Sequence, residues 1–270
     1  MTLDRRQILA LAALAGGAGA FETASAEAHD AQGRMPPLPE DAPKIAMLVH
    51  PRMIALDLIN PMTVFNILRS NIMLVGKTME PAATDVRIPI GATHTFDQVP
   101  REVDVLFVPG GIMGTIAAMD DPETLTFLSD CGRRAKWVTS VCTGSLLLGA
   151  AGLLQGYRAA SHWTVSDLLP KLGATKVDER VVIDRNRMTG GGATAGLDFG
   201  LTLAAKLVDE EAARRIQLIL EYAPEPPFAN GTPAQAGPER VATMRAGRPW
   251  MDAQALKAVE AAAERLGLPA

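Results

Sequence analysis

The chain has 270 residues, 48% of them hydrophobic and 4% aromatic, and carries a formal net charge of −4. That is enough apolar material for one large α/β domain or two small ones, and the acidic balance with few stacking rings argues against nucleic acid as a partner. Two cysteines, Cys131 and Cys142, give no disulfide framework, and His29, His50, His94 and His162 show no metal-ligand spacing.

Residues 1–28 read as an export signal. Arg5-Arg6 precede a weakly apolar, Ala/Gly-rich run from Ile8 to about Phe21, and small residues follow up to Ala28. Paired arginines before such a run fit the twin-arginine pattern, which predicts a periplasmic location. The run is too short and too glycine-rich for a stable membrane span. Residues 29–42, with Pro36, Pro37 and Pro39, read as a flexible leader.

From there short apolar runs alternate with amphipathic stretches. Ile45–His50 reads as a strand, Pro61–Arg69 as a helix and Ile72–Val75 as a strand. A Pro/Gly-punctuated segment over 81–91 leads to a strand over Val103–Val108, which exits through Pro109-Gly110-Gly111. Asp121 as cap, Pro122 at the first helical position and Glu123 in the first turn predict a helix to about Ala135. Trp137–Cys142 reads as a buried strand turning abruptly into a short helix over Ser145–Ala151. Next come a helix over Trp163–Leu172 and a strand pair, Val181–Asp184 with Arg187–Thr189. Gly190-Gly191-Gly192 then opens helices over Thr194–Val208 and Glu210–Tyr222. Pro224, Pro226 and Pro227 stop regular structure, and two helices are predicted in the tail, near Pro238–Met244 and Met251–Leu266. The expectation is an α/β domain over 43–228, with a mostly parallel sheet covered on both faces, and a helical C-terminal extension over 229–270. Ligands of such sheets gather at the carboxyl ends of the strands.

Cys142 sits at that end, on the corner between strand and helix. A helix N-terminus favours anions, which predicts a thiol shifted towards thiolate and able to attack. Asp57 lies between apolar residues just past the first strand, where a carboxylate is either paired and functional or an N-cap before Pro61. Gly110 and Gly111 either bring backbone N–H groups to a reacting carbon or simply make a tight turn. His162, beside Trp163, is either the base of a Cys–His pair or a structural core histidine. Gly192 and Ala193, in Gly190–Gly196, read as a close-approach loop rimming the pocket rather than a dinucleotide loop, since no strand ending in an acidic residue follows.

Taken together, Val138-Thr139-Ser140-Val141-Cys142-Thr143-Gly144-Ser145, Gly149–Gly156, His162-Trp163, Leu56-Asp57-Leu58, Pro109-Gly110-Gly111, Thr189–Gly196 and Leu220–Pro224 resemble the DJ-1/PfpI superfamily from about Ile45 to Phe228, and within it the isonitrile hydratase branch. The resemblance implies a flavodoxin-like three-layer sandwich that is usually a homodimer. It also implies Cys142 as nucleophile, Asp57 as its acidic partner, Thr143 as the neighbour holding the site and Gly111 as a backbone donor. The substrate it implies is a small isonitrile, hydrated to an N-substituted formamide through a thioimidate, with neither metal nor organic cofactor. Two features depart from the family: Ile59-Asn60-Pro61 stands where Thr or Ala, Gly, Pro is usual, and an export signal precedes what is familiarly a cytoplasmic enzyme. Glyoxalase-like and redox-responsive members often carry His after the elbow Cys and Glu in place of Asp57, so Thr143 and Asp57 favour the hydratase branch over those alternatives. A sensing domain of the AraC-type regulators is disfavoured, because the residues after Tyr222 are too few for a basic helix-turn-helix.

Overall fold

The computed structural model describes residues 36–269; the export signal and most of the leader expected from the sequence lie outside them. The first half of the fold runs β1 (Lys44–Leu48), α1 (Ala55–Ile67), β2 (Asn71–Gly76), three two-residue strands β3 (Ala82–Ala83), β4 (Pro89–Ile90) and β5 (His94–Thr95), then β6 (Val105–Val108), α2 (Ile112–Met119), α3 (Pro122–Arg134) and β7 (Trp137–Ser140). The second half runs α4 (Gly144–Ala150), β8 (Arg158–Ala159), a 3₁₀ stretch Ser166–Leu172, β9 (Thr175–Lys176), β10 (Val181–Asp184), β11 (Arg187–Gly190), α5 (Ala195–Leu207) and α6 (Glu210–Ile219). The tail adds α7 (Pro233–Ala236), α8 (Pro238–Ala246) and α9 (Pro249–Arg265).

Side chains alternate across a strand, and here the alternation sorts the core into two clusters. Ile45, Met47, Val105 and Phe107 face Leu58, Phe65, Phe199 and Leu203 of α1 and α5. Ala46, Leu48, Leu106 and Val108 face the other way, onto Met119, Leu128, Leu147 and Val259. The sheet order is β10-β11-β7-β6-β1-β2-β5, parallel except for the β10/β11 hairpin. The chain leaves β1 for β2 on one side and returns to β6 on the other, so β1 and β6 flank the point where the strand order reverses. This is the three-layer, mostly parallel sandwich expected from the alternating pattern.

Three local readings are corrected. The first helix begins at Ala55, not Pro61, because Asp85 accepts the Ala55 N–H at 2.8 Å from a neighbouring loop and so caps it from outside. Pro61 is carried inside that helix, where only its own missing N–H is lost. The segment before Leu172 is a 3₁₀ stretch, with Pro170 inside it, rather than an α-helix from Trp163. The sequence reading also passed over α2, which starts directly from the Gly110-Gly111 turn.

The helices α1 and α5 meet through glycines. A Cβ on Gly200 would lie 3.0 Å from Val64 Cγ2 and 3.3 Å from the Pro61 Cα. Gly200→Val is therefore expected to destabilise the fold by about 1–3 kcal/mol through overpacking, measured by denaturant unfolding. Equal stability would show that the two helices separate freely.

Candidate active site

The carboxyl ends of β1, β6 and β7 bring Asp57, Gly110 and Cys142 together. Cys142 has φ +56°, in the left-handed region, which for a non-glycine residue costs about 1–2 kcal/mol. Surrounding bonds hold it there. Its N–H donates to Gly191 O at 2.5 Å, and its carbonyl accepts from Ser161 Oγ at 3.0 Å and the His162 N–H at 3.2 Å. The elbow thus rests on the Gly190–Gly192 loop on one side and on residues 161–162 on the other.

The thiol does not have the lowered pKa expected of it. Cys142 is only 6% exposed, and burial pushes its pKa well above the ordinary value, with the Asp57 charge adding to the effect and the Thr143 N–H opposing it. A helix of seven residues does not outweigh loss of water. Asp57 shifts in the same direction. Burial raises its carboxyl to about 7, against the pull of the Gly110 N–H and the Cys142 thiol, and Asp85 raises it further. The thiol eases the carboxyl's ionisation while the carboxylate makes the thiol's harder, so the two titrate as a pair in which the carboxyl gives up the first proton.

Asp57 is not an N-cap; Ile54 holds that position and Asp57 lies in the first turn of α1 with no exposed surface. Its Oδ2 accepts the Gly110 N–H at 2.9 Å, while Oδ1 is buried without a hydrogen-bond partner. The Gly111 N–H donates to Thr143 Oγ1 at 2.9 Å, and that hydroxyl also meets Thr115 Oγ1 at 2.8 Å. Both glycine N–H groups are therefore spent on holding Asp57 and Thr143, which corrects the expectation that Gly110 and Gly111 face a substrate. Thr143 does hold the turn, through its side chain.

Gly110 is tight for a second reason. A Cβ there would lie 2.8 Å from Asp57 Oδ2, 2.8 Å from Cys142 Cβ and 2.5 Å from the Thr143 N. Gly110→Ala is expected to push carboxyl and thiol apart and to lower turnover about 100-fold, checked by steady-state kinetics on a variant with native circular dichroism. Full activity would show that their spacing is not critical.

Gly192 packs against the His162 ring, 3.3 Å from Cδ2 at its Cβ position. The Ala193 carbonyl accepts from Asn60 Nδ2 at 3.2 Å, so the unusual Asn60 ties the acid-bearing helix to the loop. The N–H groups of Gly192 and Ala193 make no hydrogen bond among the described residues, and these, rather than those of Gly110 and Gly111, remain for a ligand. His162 bonds Thr164 Oγ1 through Nδ1 at 2.8 Å and touches the elbow through its backbone. This favours the structural reading of that histidine over a Cys–His pair. Burial lowers its pKa, with Arg248 adding to the shift.

Sequence reasoning missed Asp85, Thr115 and Arg180, and met Asn60 only as a departure from the family pattern. Arg180 braces the rim loop: its carbonyl accepts the Gly191 N–H at 2.9 Å and its guanidinium reaches Asp198 Oδ2 at 2.7 Å and Thr194 O at 2.9 Å. Only the ion pair's charges were visible in the sequence. Both cysteines are free, and Cys131, on α3, has its thiol pushed up to about 11 by burial. No group of His, Cys, Asp and Glu among the described residues is arranged to hold a metal, and no described helix is long and apolar enough to cross a membrane.

Comparison with known proteins places the site in context. The sequence profile of the DJ-1/PfpI family matches residues 43–206. The chain is 48% identical over 194 residues to isonitrile hydratase from Pseudomonas putida, covering 72% of this chain and 84% of that protein. A solved ThiJ/PfpI family protein from Pseudomonas syringae superposes with a TM-score of 0.75 at 44% identity, covering 85% of this chain and 97% of the other. The HTH-type transcriptional regulator GbdR of Pseudomonas aeruginosa is 33% identical over 130 residues, 34% of its own length.

Proposed function

The chain belongs to the DJ-1/PfpI family, and from that premise we propose that it hydrates isonitriles to N-substituted formamides, with the Cys142 sulfur as nucleophile and Asp57 as acid and then base. The observation that carries the reading is the buried pair: a carboxyl raised to about 7, with one oxygen unpartnered, against an elbow thiol. An isonitrile carbon is weakly electrophilic until protonated. Asp57 delivers a proton to that carbon as the sulfur bonds to it, giving a thioimidate, RN=CH–S–Cys142. The carboxylate left behind takes a proton from water as the oxygen attacks the same carbon. The proton of the adduct's hydroxyl then passes to the nitrogen as the carbon–sulfur bond breaks, releasing RNH–CHO and returning the sulfur as thiolate beside the reprotonated Asp57. Gly192 and Ala193 N–H groups line the rim where charge develops. No step calls on a metal or an organic cofactor.

The reading extends to export into the periplasm by residues 1–28 and to assembly as a homodimer, for which Leu56, 51% exposed beside Asp57 on α1, offers an apolar contact. The test is incubation of the protein with cyclohexyl isonitrile, following the formamide by NMR and the sulfur adduct by intact mass. Lactate from methylglyoxal, with no formamide from the isonitrile, would replace this reading with a glyoxalase.

A further inference from the structure

His50 is a buried titratable group that the proposed reaction does not use. It stands just past the end of β1, 5% exposed, and α2 closes over its ring: a Cβ on Gly114 would lie 2.7 Å from the ring Nδ1 and 2.8 Å from Cε1. Both ring nitrogens face carbonyls. Nδ1 lies 3.1 Å from Pro51 O, a partly buried contact, and Nε2 lies 3.5 Å from Pro109 O, a buried one. A neutral imidazole donates from one nitrogen only. Pro109 is buried and its carbonyl meets no other donor among the described residues, so Nε2 is where a proton satisfies a buried backbone group.

The Pro109 carbonyl and the Gly110 N–H belong to one peptide unit. The carbonyl faces His50 and the N–H donates to Asp57 Oδ2 at 2.9 Å, so a single planar peptide lies between the ring and the acid. Hydrogen bonds in such a chain polarise one another: a donor on the carbonyl makes the N–H on the other side a stronger donor. A stronger Gly110 N–H favours the carboxylate form of Asp57 and opposes the burial that lifts its pKa. Other charges face the two ends of the chain. Arg52, Lys77, Glu80 and Asp121 line, with His50, a cavity of about 420 Å³, where Lys77 is paired with Asp121 and Glu123 at 3.0 and 2.9 Å. Asp85 and Cys142 act on Asp57. Burial lowers the pKa of His50, against the pull of the two carbonyls, so the ring is neutral where Asp57 titrates and acts through its N–H rather than through a charge.

We propose that His50 is a positioning residue for the acid: its Nε2–H donates to the Pro109 carbonyl and, through the shared peptide, tightens the Gly110 N–H bond that holds Asp57. Asp57 is read directly by carbon-13 NMR of the aspartate carboxyl carbons against pH, its signal being the one lost in Asp57→Asn. His50→Phe keeps a flat ring and removes the donor, and should move the Asp57 midpoint up by about half a pH unit. His50→Gln, whose amide N–H stands at the reach of Nε2, should return it towards the wild-type value. Nitrogen-15 NMR of the wild-type histidines at pH 8 should find His50 protonated on Nε2 alone. A midpoint unmoved or lowered in His50→Phe, or a ring protonated on Nδ1 instead, would overturn the proposal. Each variant is first checked for native circular dichroism, and His50→Leu replaces the phenylalanine if that fails to fold. Hydration of cyclohexyl isonitrile gives a second reading, which rests on the proposed function. There kcat/KM of His50→Phe should be about threefold below wild type at pH 6, on the rising limb, and nearly match it at pH 8.5, a split that a damaged fold would not give. Equal loss at both pH values would overturn the positioning role. No turnover by any form, with the Asp57 midpoint shifted, would remove the hydratase reading and leave the link from His50 to Asp57 standing.

Discussion

Replacing Cys142 with alanine is expected to leave isonitrile hydration at the rate seen in buffer, a fall of roughly 10⁴-fold or more, while the protein still folds. On the proposed mechanism the sulfur bonds the substrate carbon, and the neighbouring Thr143 hydroxyl is not free to replace it, being taken up by Gly111 N–H and Thr115. Folding is spared because alanine meets the same φ of +56° at a similar cost and removes a side chain that lies 6% exposed. Formamide measured by NMR, with the mass of the protein read in parallel, decides the matter. Equal product from wild type and variant would remove Cys142 from the chemistry.

Asp57→Asn is expected to lower kcat by about 10²–10⁴-fold and to remove a limb from the pH profile. On the proposed mechanism the reactive form is the pair holding a single proton, which accumulates as pH rises through about 7, the value to which burial lifts the Asp57 carboxyl. The kcat/KM should therefore climb to about pH 7 and level off. With asparagine the limb near 7 vanishes and only the buried thiol remains to titrate, above its ordinary range. A profile unchanged by the substitution would show that the acid lies elsewhere. Stability supplies an independent check with a definite sign. Because the folded pKa of Asp57 is raised from 3.8 to about 7, the stability tied to its proton is fully present below about pH 4 and is lost as pH rises through 7. Asp57→Asn should remove that slope and make the protein more stable than wild type at pH 8, measured by urea unfolding.

The main strands of the sheet, most of the helices and the elbow were legible because they rest on short-range signals: apolar alternation, Asp121-Pro122-Glu123 at a helix start, and small residues after a buried strand. What the sequence hid was long-range. Asp85 fixes where α1 begins from a loop thirty residues on, and nothing in Ala55-Leu56-Asp57 announces that cap. The direction of the thiol's shift was misread for a related reason: a helix terminus is visible in a sequence, whereas the depth of burial around Cys142 and the carboxyl beside it are products of packing. The two turn glycines lie beside Asp57 and Thr143, but their N–H groups hold those protein atoms.

The last helix packs against α2, α4 and the 3₁₀ stretch, and it places Ala255, Ala258, Val259 and Ala262 in the same apolar cluster as Leu147 and Leu169. On the ribosome that helix emerges after all the elements it covers. Until it does, Leu147 and its neighbours lack one wall, so the nascent chain presents an uncovered greasy surface to chaperones while this helix is still to be made. Deleting Pro249–Arg265 should accordingly yield an insoluble product rather than a trimmed domain, seen as loss of protein from the soluble fraction, which places the point of commitment to the native state after this helix is made.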